Sequence, residues 1–233
     1  MYKTQVLLLI GIMLAAGCSK DEPPGQMSTS DQMRLKAEKD KFDTSRPLTA
    51  ETHFAAGQFA ETNGDPATAV IQYQAALKLD PNNQGSLLRL GMLYTAQQQY
   101  PEAIETFQRF VKATNQSASA YADLGFCLEL AGKTDEAESA YKSGIAKDPK
   151  NQPCRVNYGL LLARAGKIAE ATAQLQAVLT PAQVHYNIAS VFEGQGRTEQ
   201  AKAEYTAALQ LDPNLTDARS RLAAMPPEQI NIP

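Results

Sequence analysis

Tryptophan is absent from the 233 residues, cysteine occurs three times and histidine twice. Three cysteines are too few to staple a chain of this length, which excludes a disulfide scaffold. Positive charge is also sparse. Against 25 Asp and Glu stand 22 Lys and Arg, a formal net charge of −3 that offers no basic patch for nucleic acid. The apolar run near the N-terminus, Val6 to Ala16, is too short to cross a bilayer, which takes roughly 20 apolar residues.

That short run has the layout of an export signal. Lys3 and the free amine precede it, and it runs out in the small residues Ala15, Ala16 and Gly17, a cleavage site that would make residues 1–17 the signal. Cys18 comes directly after, and beyond it the chain turns charged and proline-bearing in "SKDEPP". This arrangement resembles the bacterial lipobox, with Ala15 where Leu is preferred three places before the cysteine. The resemblance implies that Cys18 becomes the lipidated first residue and anchors the chain to a membrane facing the periplasm. Ser19 in place of Asp implies the outer membrane. Two or more acyl chains hold a protein stably on a membrane, at about 0.8 kcal/mol per buried CH₂. The other reading is ordinary secretion with Cys18 as a loose thiol.

Residues 18–49 lack sustained periodicity and read as a polar linker. Thr29 and Gln32 could cap one marginal helix over residues 31–42.

After residue 50 a beat of 34 takes over. Glycines stand at 57, 91, 125 and 159, alanines at 69, 103, 137 and 171, and Tyr73, Phe107, Tyr141 and Leu175 follow four places after each alanine. Pro81, Pro149 and Pro213 close units in "KLDPNN", "AKDPKN" and "QLDPNL". In residues 118–151 the pattern is Tyr121, Leu124, Gly125, Leu128, Ala137, Tyr141 and Pro149. This resembles the tetratricopeptide repeat (TPR) family, a helix-turn-helix unit of 34 residues.

The resemblance implies an all-α, right-handed solenoid of five repeats: 50–83, 84–117, 118–151, 152–181 and 182–215. A polar capping helix is expected over 216–225 and a tail over 226–233. Stability should come from stacking, since one unit cannot bury its own apolar face. The glycines are expected to face the alanines so that paired helices approach closely, with the Tyr and Phe side chains filling the wedge between repeats. From Gly159 to its counterpart Ala189 the interval shortens to 30 residues, about one helical turn less, so the second helix of repeat four should end early.

Catalytic chemistry finds little support. "AGKTDEA" (131–137) resembles the end of a phosphate loop but has Cys127 where that loop needs glycine, and "AGK" recurs at 165–167 as a turn. His53 and His185 occupy the same place in repeats one and five, too far apart to share a metal. Cys127 and Cys154 are offset by about 10 Å along neighbouring first helices, beyond easy disulfide reach. Neither a Ser-His-Asp triad nor a paired-carboxylate cleft can be assembled. No metal, cofactor or nucleic acid is expected.

The resemblance instead directs attention to the concave face, where the family binds ligands through places 2, 5, 9, 12 and 13 of the first helices. These are Glu51, Phe54, Gln58 and Glu61 in repeat one, Leu88, Met92 and Thr95 in repeat two, and Ala122, Phe126, Glu129 and Leu130 in repeat three. Repeat four gives Val156, Leu160 and Arg164, and repeat five gives Tyr186, Ser190 and Glu193. The middle is apolar and the ends polar. The Lys and Asn of a carboxylate clamp are missing, which leaves a surface suited to an amphipathic helix or an extended apolar peptide. The expected function is a non-catalytic, membrane-tethered adaptor for envelope proteins, resembling lipoproteins that help assemble pili or secretion machines. The alternatives are a regulatory or scaffolding subunit of an envelope enzyme, and a structural tether whose groove is filled by its own leader.

Overall fold

First helices begin behind a side chain that accepts a hydrogen bond from the backbone three residues on. Thr49, Asn83, Ser117, Asn151 and Thr180 do this for α1 (Ala50–Thr62), α3 (Gln84–Ala96), α5 (Ala118–Leu130), α7 (Gln152–Arg164) and α9 (Pro181–Gly194). Each is followed by a tight turn into a second helix: α2 (Pro66–Leu79), α4 (Tyr100–Ala113), α6 (Thr134–Lys147), α8 (Ile168–Gln176) and α10 (Thr198–Leu211). A last helix, α11 (Thr216–Ala224), closes the series. These elements come from a computed structural model that describes residues 28, 33 and 48–226. The expected export signal, Cys18, the expected helix over 31–42 with the exception of Met33, and residues 227–233 lie outside the described residues. The chain divides into two units, Met1–Pro47 and Leu48–Pro233, and the repeats lie in the second.

Within each repeat the turn is made by one residue in the left-handed region: Gly64, Gln98, Gly132, Gly166 and Gly196. The next N–H then reaches back five residues, as from Asp65 to the Ala60 carbonyl at 2.9 Å and from Lys133 to that of Leu128 at 2.9 Å. This pattern satisfies carbonyls that the end of the first helix would otherwise leave unpaired. "AGK" at 131–133 and 165–167 is therefore turn, and a side chain stands at this strained place only in repeat two, at Gln98.

The helices stack as an all-α solenoid, each pairing with its neighbours in sequence. Inside a repeat, the nearest neighbour of Gly57, Gly91, Gly125 and Gly159 is the large residue four places after the alanine, and at Gly159 the Ala171 carbonyl also comes within 3.3 Å of a prospective methyl carbon. A methyl group on Gly57 would stand 2.5 Å from a ring carbon of Tyr73, and one on Gly125 2.5 Å from the ring of Tyr141. Gly91 is covered in the same way by Phe107 and Gly159 by Leu175. The glycine thus makes room for the large side chain of its own repeat, and that side chain also reaches the next repeat where Tyr141 stands 6.5 Å from the ring of Tyr158. Ala69, Ala103, Ala137 and Ala171, one turn away, are fully buried.

The fourth repeat shows what its short interval implied. α8 runs nine residues where α2, α4, α6 and α10 run fourteen. Pro181 does not close repeat four: it stands in the first turn of α9, behind a capping box formed by Thr180 and Gln183. Cys127 and Cys154 are buried free thiols, and Cys154 donates to the Ala118 carbonyl at 3.1 Å. None of the described helices is long and apolar enough to cross a membrane.

Candidate partner-binding face

Places along one helical stripe can be told apart by exposure. At the ninth places Gln58, Met92, Phe126 and Ser190 are exposed, with Met92 and Phe126 each at 48%, and Leu160 is half-buried. Leu130, at the thirteenth place of α5, is 46% exposed. The fifth places lie deeper. Phe54, Leu88, Val156 and Tyr186 are half-buried and packed on the core, and Ala122 is buried. The Phe54 ring lies 5.7 Å from that of Tyr73 and also covers Gly85, while Tyr186 lies 5.6 Å from Tyr205. Phe54 and Tyr186 are thus largely engaged inside the fold. The apolar surface left open to a partner is carried by Met92 on α3 and by Phe126 and Leu130 on α5.

Charge on this face is mostly compensated by arginines from neighbouring repeats. Glu61 pairs with Arg89, Glu129 with Arg164, and Glu193 with Arg221 of α11 at 3.5 Å. Two of these carboxylates also accept from the buried tyrosine of their own repeat: Glu129 from Tyr141 at 3.2 Å and Glu193 from Tyr205 at 2.6 Å. Burial and the adjacent carboxylate both push these phenols upward, so they stay protonated. Arg164, expected as a contact residue of this face, is therefore held in place by Glu129. Sequence spacing carries a signal for this network that the repeat pattern alone does not reveal. Glutamate stands twelve residues before each of Tyr73, Tyr141 and Tyr205, whereas Thr95 and Ala163 precede Phe107 and Leu175, which have no hydroxyl.

Asp123, at the sixth place of α5, is not among the residues expected from the sequence. It is half-buried and has no hydrogen-bonding or ion-pairing partner among the described residues. Burial raises its carboxyl to about 6. The two histidines sit outside this face. His53 meets Gln72 at 2.8 Å and His185 meets Glu204 at 2.6 Å, each tying the first helix of a repeat to its second. Arg155 makes the same tie to Gln174 in repeat four.

Tetratricopeptide repeat family models match residues 36–84, 62–125, 128–187 and 182–215, together well over half of the chain. The match from 36 begins inside the segment that the spacing reads as linker. Among curated proteins, the chain is 28% identical over 121 residues to the general transcriptional corepressor ssn6 of Schizosaccharomyces pombe, covering 51% of this chain but only 11% of that protein. It is 28% identical over 124 residues to the photosystem I assembly protein Ycf3 of Synechococcus sp. (strain CC9902), covering 49% of this chain and 70% of the relative. Among solved structures, the MamA protein is similar, with 26% identity and a TM-score of 0.58 over 76% of this chain and 98% of that one. The chain belongs to the tetratricopeptide repeat family, whose members mediate protein–protein interaction and scaffolding.

Proposed function

We propose that the chain is a non-catalytic, membrane-tethered adaptor that binds peptide or helical segments of envelope proteins and aids the assembly of an envelope complex such as a pilus or secretion machine. The observation that carries the binding part is the open apolar stripe of Met92, Phe126 and Leu130, set on a face whose twelfth-place glutamates, Glu61, Glu129 and Glu193, are ion-paired. Apolar side chains exposed in one line and flanked by polar groups lower their free energy by receiving the apolar face of another segment. The likeness to a photosystem I assembly protein supports an assembly role.

The tether rests on the sequence before the repeats. Cys18 follows a small-residue site after a short apolar run, and diacylation there would keep the array on the periplasmic face of a membrane, the outer one by Ser19. Changing Cys18→Ser should move the protein to the soluble fraction, and unchanged membrane association would remove lipidation as the cause.

Binding is tested with Met92→Asp plus Phe126→Asp. Both side chains are about half exposed, so the double variant should keep its helical circular dichroism. Leu88 is unsuitable because it packs on the core. Capture from gently solubilised envelopes should lose the specific partners of the wild-type protein. A folded double variant that retains all of them would overturn the inner-face reading.

A further inference from the structure

The first helices carry the carboxylates Glu51, Glu61, Asp123, Glu129 and Glu193. Glu61, Glu129 and Glu193 each have an arginine. Glu51 lies in the first turn of α1, where backbone N–H groups and Thr49 hold its carboxyl below the usual range. Asp123 has none of these partners. The cations of the same helices are already committed, with Arg89 on Glu61, Arg164 on Glu129, and Arg155 on Gln174 and the Pro149 carbonyl. No lysine lies on α1, α3, α5, α7 or α9. The array therefore has no spare arginine or lysine on these helices for Asp123.

Its position connects this charge to the apolar stripe. At about 100° per residue, places seven apart on a helix differ by roughly 20°, so Asp123 and Leu130 point almost the same way, with Phe126 between them in height and about 60° round from Asp123 on the same side as Leu130. Place six also borders the inner face in other repeats: Arg89 and Arg221 stand at that place in their own units and reach the inner-face Glu61 and Glu193. A segment laid on Phe126 and Leu130 would thus strip water from a carboxylate that is already half-buried and unpaired. Such desolvation is strongly unfavourable unless the segment supplies a cation with hydrogen bonds.

We propose that the segment held on this face is apolar with a basic residue among its apolar positions, and that its ammonium or guanidinium pairs with Asp123. This rests on the inner-face reading and narrows the partner's chemistry. A charge-assisted pair of this kind is worth about 1.5–3 kcal/mol, so its loss weakens binding roughly tenfold or more.

The test is selection of short random displayed peptides on the full chain in three forms: wild type, Asp123→Asn, and Met92→Asp plus Phe126→Asp. Asp123→Asn removes an uncompensated charge and keeps the shape, so its folding, followed by circular dichroism, should be retained. Wild type should enrich apolar peptides containing Lys or Arg, and titration of an enriched peptide should show roughly tenfold weaker binding to Asp123→Asn, with no further loss when its basic residue is replaced by Gln. Apolar peptides without basic enrichment, bound equally by Asp123→Asn but lost on the double variant, would overturn the pairing and leave the inner-face reading standing. Selection of no peptide that depends on Met92 and Phe126 would overturn both.

Discussion

At the scale of single residues, the repeats differ in one hydroxyl. Tyr205 gives its proton to a 2.6 Å hydrogen bond with Glu193, while the buried hydroxyl of Tyr73 has no partner among the described residues, since Glu61 turns to Arg89. An unmade bond at a buried polar atom costs about 1–3 kcal/mol, and a made one to a charged group contributes a comparable amount. The same substitution should therefore act in opposite directions. Tyr205→Phe is expected to lower stability by about 1–2 kcal/mol, and Tyr73→Phe to leave it unchanged or raise it by up to about 1 kcal/mol. Denaturant melts of the two variants would show this, and equal losses would contradict it. The Tyr and Glu of this network stand in plain view in the sequence, but their pairings do not. The period of 34 reports where a backbone position recurs, whereas an arginine is long enough to choose. Arg89 reaches Glu61 from the sixth place of its repeat, yet Glu129 is met by Arg164 from the thirteenth, because Asn157 occupies the sixth. Asp123 is invisible to such a reading for a related reason, since an unpaired charge is a fact about its surroundings and not about its own position.

At the scale of elements, the sequence makes the helix pairs legible and leaves open which side chain lies nearest the glycine. Gly57 precedes both Ala69 and Tyr73, which lie one turn apart on the same face of α2, so spacing alone cannot decide which of them covers the glycine. The structure puts the ring there, with a prospective methyl carbon 2.5 Å from it, well inside van der Waals contact. Gly57→Ala gains about 1 kcal/mol of helix propensity but forces the aromatic ring or the helix to shift, which typically costs about 1–3 kcal/mol in a packed core. We expect a net loss, and we expect Gly57→Ala to be milder when combined with Tyr73→Leu, because a leucine already serves opposite Gly159. Additive effects of the two changes in a double-mutant cycle would contradict the contact. The short α8, in contrast, can be read directly: four missing residues remove a helical turn whatever the side chains are.

At the scale of the whole described array, that missing turn coincides with a break in the interior. One apolar core runs from α1 through α7 into α8 and reaches Val191, and a second gathers Leu175 with Val184, Ile188, Phe192, Tyr205 and Ala218. Ile168 packs on both. In a solenoid each repeat is stabilised by its neighbours alone, so the interface that buries least sets where the stack opens first. The second helix of repeat four is the shortest of its kind, and repeat five leans on it from one side and on a nine-residue cap from the other. Repeat five with its cap should therefore open as a unit before the centre does. Hydrogen exchange is expected to show amides of α9 and α10 exchanging through an opening of lower free energy than those of α3 to α6, with one common value within each group. Deleting α11 should widen the gap, since it uncovers Tyr205 and removes the arginine that holds Glu193, while amides of α3 to α6 keep their protection. A single exchange limit shared by all first helices, in both forms of the chain, would show that the core is energetically continuous across α8.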